Sequence, residues 1–175
     1  RYLQIVSCNT HNISVLVRSL AFDDKTPHLV DGRFVCMRRA NDISQEGKFV
    51  PSPTVGRHDD PRFGTHHARD AHGVFATLGH DLPLWSSAIV LNSQYMHVLQ
   101  FSLTLDREIS VEEVIERLDA NPRVALTRKR SANRVFSFGR DHGYYGRLLN
   151  QTVVPVQTLA VRDGQFRVGP ALAAA

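Results

Sequence analysis

Apolar positions in this 175-residue chain recur with a period of two in some stretches and about 3.6 in others, so strands and helices are mixed along it. Residues 2–7 read as a strand that ends in the β-branched, apolar run before Cys8. Asn9 and Thr10 follow as capping residues, and Ile13, Val17 and Leu20 then mark one side of a helix over 9–21. Arg33 to Arg39 reads as a second strand. From about 40 to 83 the chain is polar, carries Pro51, Pro53 and Pro61, and shows little periodicity, which predicts a long loop. Residues 85–93 and 96–105 read as strands, the second with Leu99, Phe101, Leu103 and Leu105 alternating against polar positions. Ser110-Val111-Glu112-Glu113 is a capping box opening a helix to about Ala120. A strand over 123–127, a helix over about 131–141 and a hairpin over 152–168 turning at Asp163-Gly164 complete the pattern. The fold class expected is α+β, a mostly antiparallel or mixed sheet with helices on one face, in one domain spanning 1–175.

Composition narrows this picture. A hydrophobic content of 42% is enough for a sizeable core, and no apolar run reaches the roughly 18 residues of a membrane span. Two cysteines, Cys8 and Cys36, lie at separate strand ends; with no disulfide framework, free thiols in a reducing, cytoplasmic setting are expected. The formal charge of +4 is scattered except at Arg38-Arg39 and Arg128-Lys129-Arg130. No aromatic residues interleave with it, which argues against nucleic acid and suits small anions. The chain opens without Met on what reads as a strand already under way, and Ala171 to Ala175 reads as a cut or frayed end. The expectation is a piece of a longer protein.

The chemistry starts at Cys8. A thiol where a strand passes into a helix sits beside unpaired backbone N–H groups and the positive end of the helix dipole. Both favour the thiolate and would hold an oxyanion. Such a cysteine is ordinarily a small core residue, so its partners decide. His97, where two strands meet, can reach another strand end, and a thiolate–imidazolium pair needs that proximity. His58, His66, His67, His72 and His80 crowd the polar stretch, but their spacing matches no zinc pattern and no metal site is expected. No GxGxxG, P-loop, HExxH or GxSxG occurs in a fitting context, and Gly143-Tyr144-Tyr145-Gly146 has neither the spacing nor the setting of a nucleotide loop.

Ser7-Cys8-Asn9-Thr10, Arg38-Arg39-Ala40-Asn41-Asp42, Thr65-His66-His67-Ala68-Arg69-Asp70, Tyr95-Met96-His97 and Asn121-Pro122-Arg123-Val124 occur in an order that resembles the archaeal-type glyceraldehyde-3-phosphate dehydrogenases, over most of residues 2–168. The resemblance implies the catalytic domain of such an enzyme, with a nucleotide-binding domain upstream, NAD or NADP as cofactor, and a homo-oligomer such as a tetramer. It implies Cys8 as the nucleophile and His97 as its activator and proton shuttle. It also implies that Thr10, Arg38, Arg39, His66 and His67 bind a phosphorylated aldehyde and inorganic phosphate. Only one of the adjacent arginines is expected to face the site, because strand side chains alternate. The chain departs from the pattern at His11-Asn12 and at Asn92-Ser93-Gln94-Tyr95, which leaves the aldehyde open. A cysteine–histidine hydrolase or acyl-transfer enzyme and a non-catalytic assembly domain are the alternative readings.

Overall fold

The computed structural model describes residues 6–41, 47, 49–142 and 151–162, and the backbone of 165–173. The expected first strand lies almost wholly outside the described residues, and Val6 and Ser7 carry no strand. Helix α1 (Cys8–Leu20) begins one residue earlier than its pattern predicts, because Ser7 takes the N-cap and its hydroxyl accepts from Thr10 N–H. A two-residue ribbon, β1 (Phe22–Asp23) and β2 (Thr26–Pro27), leads into β3 (Leu29–Arg38). Then come β4 (Thr54–Val55), α2 (His66–Ala76), β5 (Leu84–Val90) and β6 (His97–Leu105). The second half comprises α3 (Val111–Asp119), β7 (Val124–Thr127), α4 (Ala132–Asp141), β8 (Thr152–Pro155), β9 (Leu159–Arg162) and β10 (Gln165–Ala173).

The stretch expected to be one long loop instead contains α2. Its apolar positions, Ala68, Ala71 and Phe75, are small or sparse, so the helical period is faint in sequence. Packing against α1 and β5 decides the conformation. Ser110 caps α3 as the capping box predicts, accepting from Glu113 N–H at 3.1 Å. Of the expected 152–168 hairpin, β9 pairs with the start of β10, Arg162 opposite Gln165, whereas a 3-10 turn at Val156–Thr158 separates off 152–155 as β8. Its Asp163-Gly164 turn, like Gly143 to Gly146, lies outside the described residues.

Among the described residues the main sheet runs β4-β5-β3-β6-β10-β8-β7, with β9 pairing on β10. It is mixed: β3 is parallel to β5 and β7 to β8, while β3–β6, β6–β10 and β10–β8 are antiparallel. Helices α1, α2 and α3 cover one face over a core of Phe34, Leu99, Leu103, Val154, Ile13 and Leu16. Helix α4 lies on the other face, where Val135 packs with Met96 and Val153. The expectation of helices on one face therefore holds for three of the four. Handedness supplies the reason. The crossovers β3–α2–β5 and β7–α4–β8 move the same way across the sheet, but their strands point in opposite directions. A right-handed crossover then puts the two helices on opposite faces.

The α2 entry depends on Gly64. It adopts φ +72°, and a Cβ there would lie 2.2 Å from the Ser86 carbonyl oxygen. A Cβ on Gly73, inside α2, would meet nothing within 4 Å. Gly64→Ala is therefore expected to cost about 2 kcal/mol or more. Gly73→Ala should add about 0.5–1 kcal/mol through helix propensity. Urea unfolding of the two variants checks both signs.

Candidate active site

Strand register gathers the site at one sheet end. Met37 lies opposite Val98, Ala173 opposite His97, and Thr152 opposite Ala173, so the end of β3 and the starts of β6 and β8 are neighbours. His97 shares the parity of Leu99 and so faces the helix-covered side; Arg38 shares that of Cys36 and Phe34. The first turn of α1 comes down on this end. Cys8, the first helical residue and half-buried, places Sγ 3.4 Å from His97 Nδ1. The expected pair is thus brought together, by residues 89 positions apart in the chain.

The surroundings are polar and buried. Asn9 sits between two histidines, with Oδ1 3.3 Å from His97 Nδ1 and Nδ2 3.5 Å from His67 Nε2. Asn12 donates from Nδ2 to the Cys8 carbonyl at 2.8 Å, and its Oδ1 accepts from the Thr152 hydroxyl. Asn12 is one of the departures from the family pattern, and it ties β8 to the cysteine turn. Cys36 is wholly buried, and desolvation pushes its thiol up to about 12, so it is inert beside Cys8.

Next to this pair a cleft of about 310 Å³ is lined by Arg38, Arg57, Arg69, His66, His67 and Asp59. Arg38 reaches it and Arg39 does not: β3 ends at Arg38, and alternation turns its neighbour away. Arg38 Nε is buried with no hydrogen-bond partner, as is His67 Nδ1. The guanidinium Nε is a donor that an anion would satisfy. His66 is exposed at the mouth, its ring centroid 4.0 Å from that of His67. Thr10, expected at the anion site, is instead wholly buried with its hydroxyl 2.8 Å from Ser7 Oγ, where it serves the helix start. Arg57, Arg69 and Ser86 were not among the residues expected here. Arg57 sits in an aperiodic stretch that carries no signal. Ser86 looks like an ordinary strand residue, yet its hydroxyl accepts from Ala68 N–H at 3.0 Å and caps α2 from β5.

The other loop histidines have separate duties. His58 stacks on Trp85, His72 pairs with Asp81, and His80 meets the Phe22 ring edge-on. Among the described residues no three His, Cys, Asp or Glu side chains form a group able to hold a metal, and no helix is long and apolar enough to cross a membrane.

Burial, aided by His66, Arg38 and His97, pushes the His67 ring down to about 3, so it is neutral. The unfolded chain, with an ordinary histidine near 6.5, binds the extra proton between those values. Stability from this group is therefore complete above about pH 6.5 and falls as pH drops toward 3, by up to ~1.4 kcal/mol per pH unit. Urea unfolding at pH 7 and pH 5.5 is expected to show that slope, and His67→Gln to lose it.

No profile of a known protein family matches the chain. Individual relatives do. It is 28% identical over 169 residues to a glyceraldehyde-3-phosphate dehydrogenase of Metallosphaera sedula, covering 94% of this chain and 47% of the relative. It is 23% identical over 174 residues to the enzyme of that name from Methanocaldococcus jannaschii, with the same coverage. For that of Sulfolobus acidocaldarius the figures are 27% over 158 residues, 87% of this chain and 43% of the relative. Over nearly all its residues the chain thus resembles archaeal-type glyceraldehyde-3-phosphate dehydrogenases, and it spans about half the length of these curated relatives.

Proposed function

We propose that this chain is the cysteine-bearing catalytic domain of an NAD- or NADP-dependent dehydrogenase that oxidises glyceraldehyde 3-phosphate or a related phosphorylated aldehyde. The observation that carries the reading is the Cys8–His97 contact of 3.4 Å beside a cleft lined by three arginines. The relatives' names agree with it. The chain has no glycine-rich strand-to-helix turn and spans about half the length of its relatives, so in this reading a dinucleotide would be held largely by residues outside it. That cofactor supplies the hydride acceptor.

The steps that fall to this chain's residues follow from the geometry. The Cys8 thiolate attacks the aldehyde carbon, forming a C–S bond. The carbonyl π pair moves to oxygen and takes the proton from His97 Nδ1, giving a thiohemiacetal. Backbone N–H groups in the first turn of α1 stabilise the oxyanion on the way. With a dinucleotide bound as hydride acceptor, His97 Nδ1 would take the hydroxyl proton back as the carbon is oxidised, leaving a thioester on Cys8. Inorganic phosphate then attacks that carbonyl, forming an acyl phosphate and releasing the thiolate. Arg38, Arg57, Arg69 and His67 hold the substrate phosphoryl group and the attacking phosphate in the cleft.

A homo-oligomer in the cytoplasm belongs to the same reading. On the sheet face opposite α1 and α2, Trp85 of β5 is exposed and Val35, Met37 and Ile89 are half-buried, with no helix over them among the described residues, an apolar surface suited to a second copy.

In the full-length enzyme, Cys8→Ser is expected to abolish NAD(P)-dependent oxidation with the fold intact, and Cys36→Ser to leave it unchanged. His97→Asn should lower kcat about 10²–10⁴-fold. Iodoacetamide at neutral pH should label Cys8 faster than Cys36, read by peptide mass spectrometry. Wild-type turnover by Cys8→Ser sinks the mechanism. Turnover of a thioester by the chain with no nucleotide present identifies the hydrolase or acyl-transfer reading instead.

Arg38→Ala should raise KM for the phosphorylated aldehyde roughly ten- to a hundred-fold, from about 1.5–3 kcal/mol for a charged hydrogen bond, and barely affect an unphosphorylated analogue. Arg39→Ala should leave that KM unchanged. Steady-state kinetics on both variants separates them, and an unchanged KM in Arg38→Ala removes the phosphate assignment.

A further inference from the structure

The Cys8, His97 and cleft chemistry, on which this inference rests, leaves one buried polar side chain without a role. Asn9 is 1% exposed and bridges histidines from two elements, His97 at the start of β6 and His67 in α2. A carboxamide has one end that only accepts and one that only donates. With Oδ1 facing His97, Nδ1 of that ring must carry a proton. A protonated Nδ1 cannot accept from a thiol, so toward this ring the sulfur 3.4 Å away can only accept, the role in which a thiolate is favoured. With Nδ2 facing His67, Nε2 of that ring must be the bare nitrogen. The proton of neutral His67 is then on Nδ1, the buried atom without a partner in a residue that lines the anion cleft.

We propose that Asn9 is a positioning residue that sets the tautomers of both histidines at once, holding a proton on His97 Nδ1 beside Cys8 and a donating Nδ1–H on His67 beside the cleft. One amide orientation thereby serves both half-sites. His97 keeps its proton at the nitrogen that faces the sulfur and the developing oxyanion, and Oδ1 favours its return after each transfer. His67 presents a neutral donor to an anion and takes no proton from the substrate phosphoryl group; burial keeps it neutral. The titratable and charged groups around the pair are His66 on α2, Arg38 from β3 and Cys8 from α1. The opposite amide orientation would set the opposite tautomers and leave Cys8 a neutral thiol donating to His97.

Histidine side-chain ¹⁵N–¹H correlation spectra of the chain distinguish Nδ1–H, Nε2–H and doubly protonated rings without any turnover, so the outcome is separate from whether the aldehyde assignment holds. The expected wild-type result is Nδ1–H on His67 with no titration between pH 8 and pH 5, and a protonated Nδ1 on His97. Asn9→Asp keeps the shape and makes both ends acceptors. It should switch His67 to an Nε2–H or doubly protonated ring and move its titration into the pH 5–8 window. An Nε2–H signal on His67 in the wild type overturns the proposal whatever the variant does. So does an unchanged His67 signal in a folded Asn9→Asp protein.

Discussion

Asn9, Thr10 and Asn12 are buried in the first turns of α1, at 1%, 0% and 1% exposure, and the site depends on what that burial requires. A polar group withdrawn from water and left unpaired costs about 1–3 kcal/mol, so each must meet a partner at a fixed place. Thr10 closes on Ser7, Asn12 reaches Thr152, and Asn9 reaches two histidines. These bonds pin the start of the helix to β6, β8 and α2 together. Cys8 is the first helical residue, and Asn12 holds its carbonyl, so the sulfur inherits the precision of the whole arrangement. A hydrophobic first turn would pack as well but would leave the thiol and the imidazole free to drift apart.

Topology decides which groups can take part. Parallel pairing of β3 with β5 needs a crossover, and right-handedness carries α2 over the face that α1 already covers. The start of α2 therefore falls beside the start of α1, close enough for Asn9 to touch His67. The second crossover, through α4, runs between strands of opposite direction and goes to the other face, where it buries Met96 and leaves the site untouched. Gly64 makes the first arrangement feasible, because only a residue without Cβ can turn so close to the Ser86 carbonyl before entering α2.

Local patterns were readable wherever the periodicity was strong. The alternation of β6, the capping box at Ser110 and the apolar side of α1 each predict an element close to the one observed. The pairing of Cys8 with His97 was readable as chemistry, as was the restriction to one arginine, since β3 alternation admits Arg38 and turns Arg39 aside. Helix α2 was not, because alanines and a lone phenylalanine supply its buried side within a run of polar residues. Ser86 as a cap supplied from another strand, Arg57 at the cleft and the placement of α4 all depend on tertiary contacts that no local pattern encodes. Thr10 shows the converse failure: a family motif suggested an anion ligand where the fold uses the hydroxyl to close its own helix start.

Charge at the helix starts follows from the same site. Helix α3 places Glu112 and Glu113 in its first turn, the usual way to satisfy the positive end of a helix dipole. Neither α1 nor α2 has an acidic residue in its first turn, although both begin where buried donors accumulate. The start of α2 faces the same cleft as Arg38, Arg57 and Arg69, which Asp59 and Asp60 also line. In the proposed function a thiolate and a phosphoryl group are both anions, and positive charge at this sheet end would favour each. Glutamates placed in those turns would favour the helices but oppose both anions, whereas α3, remote from the cleft, is free to carry them.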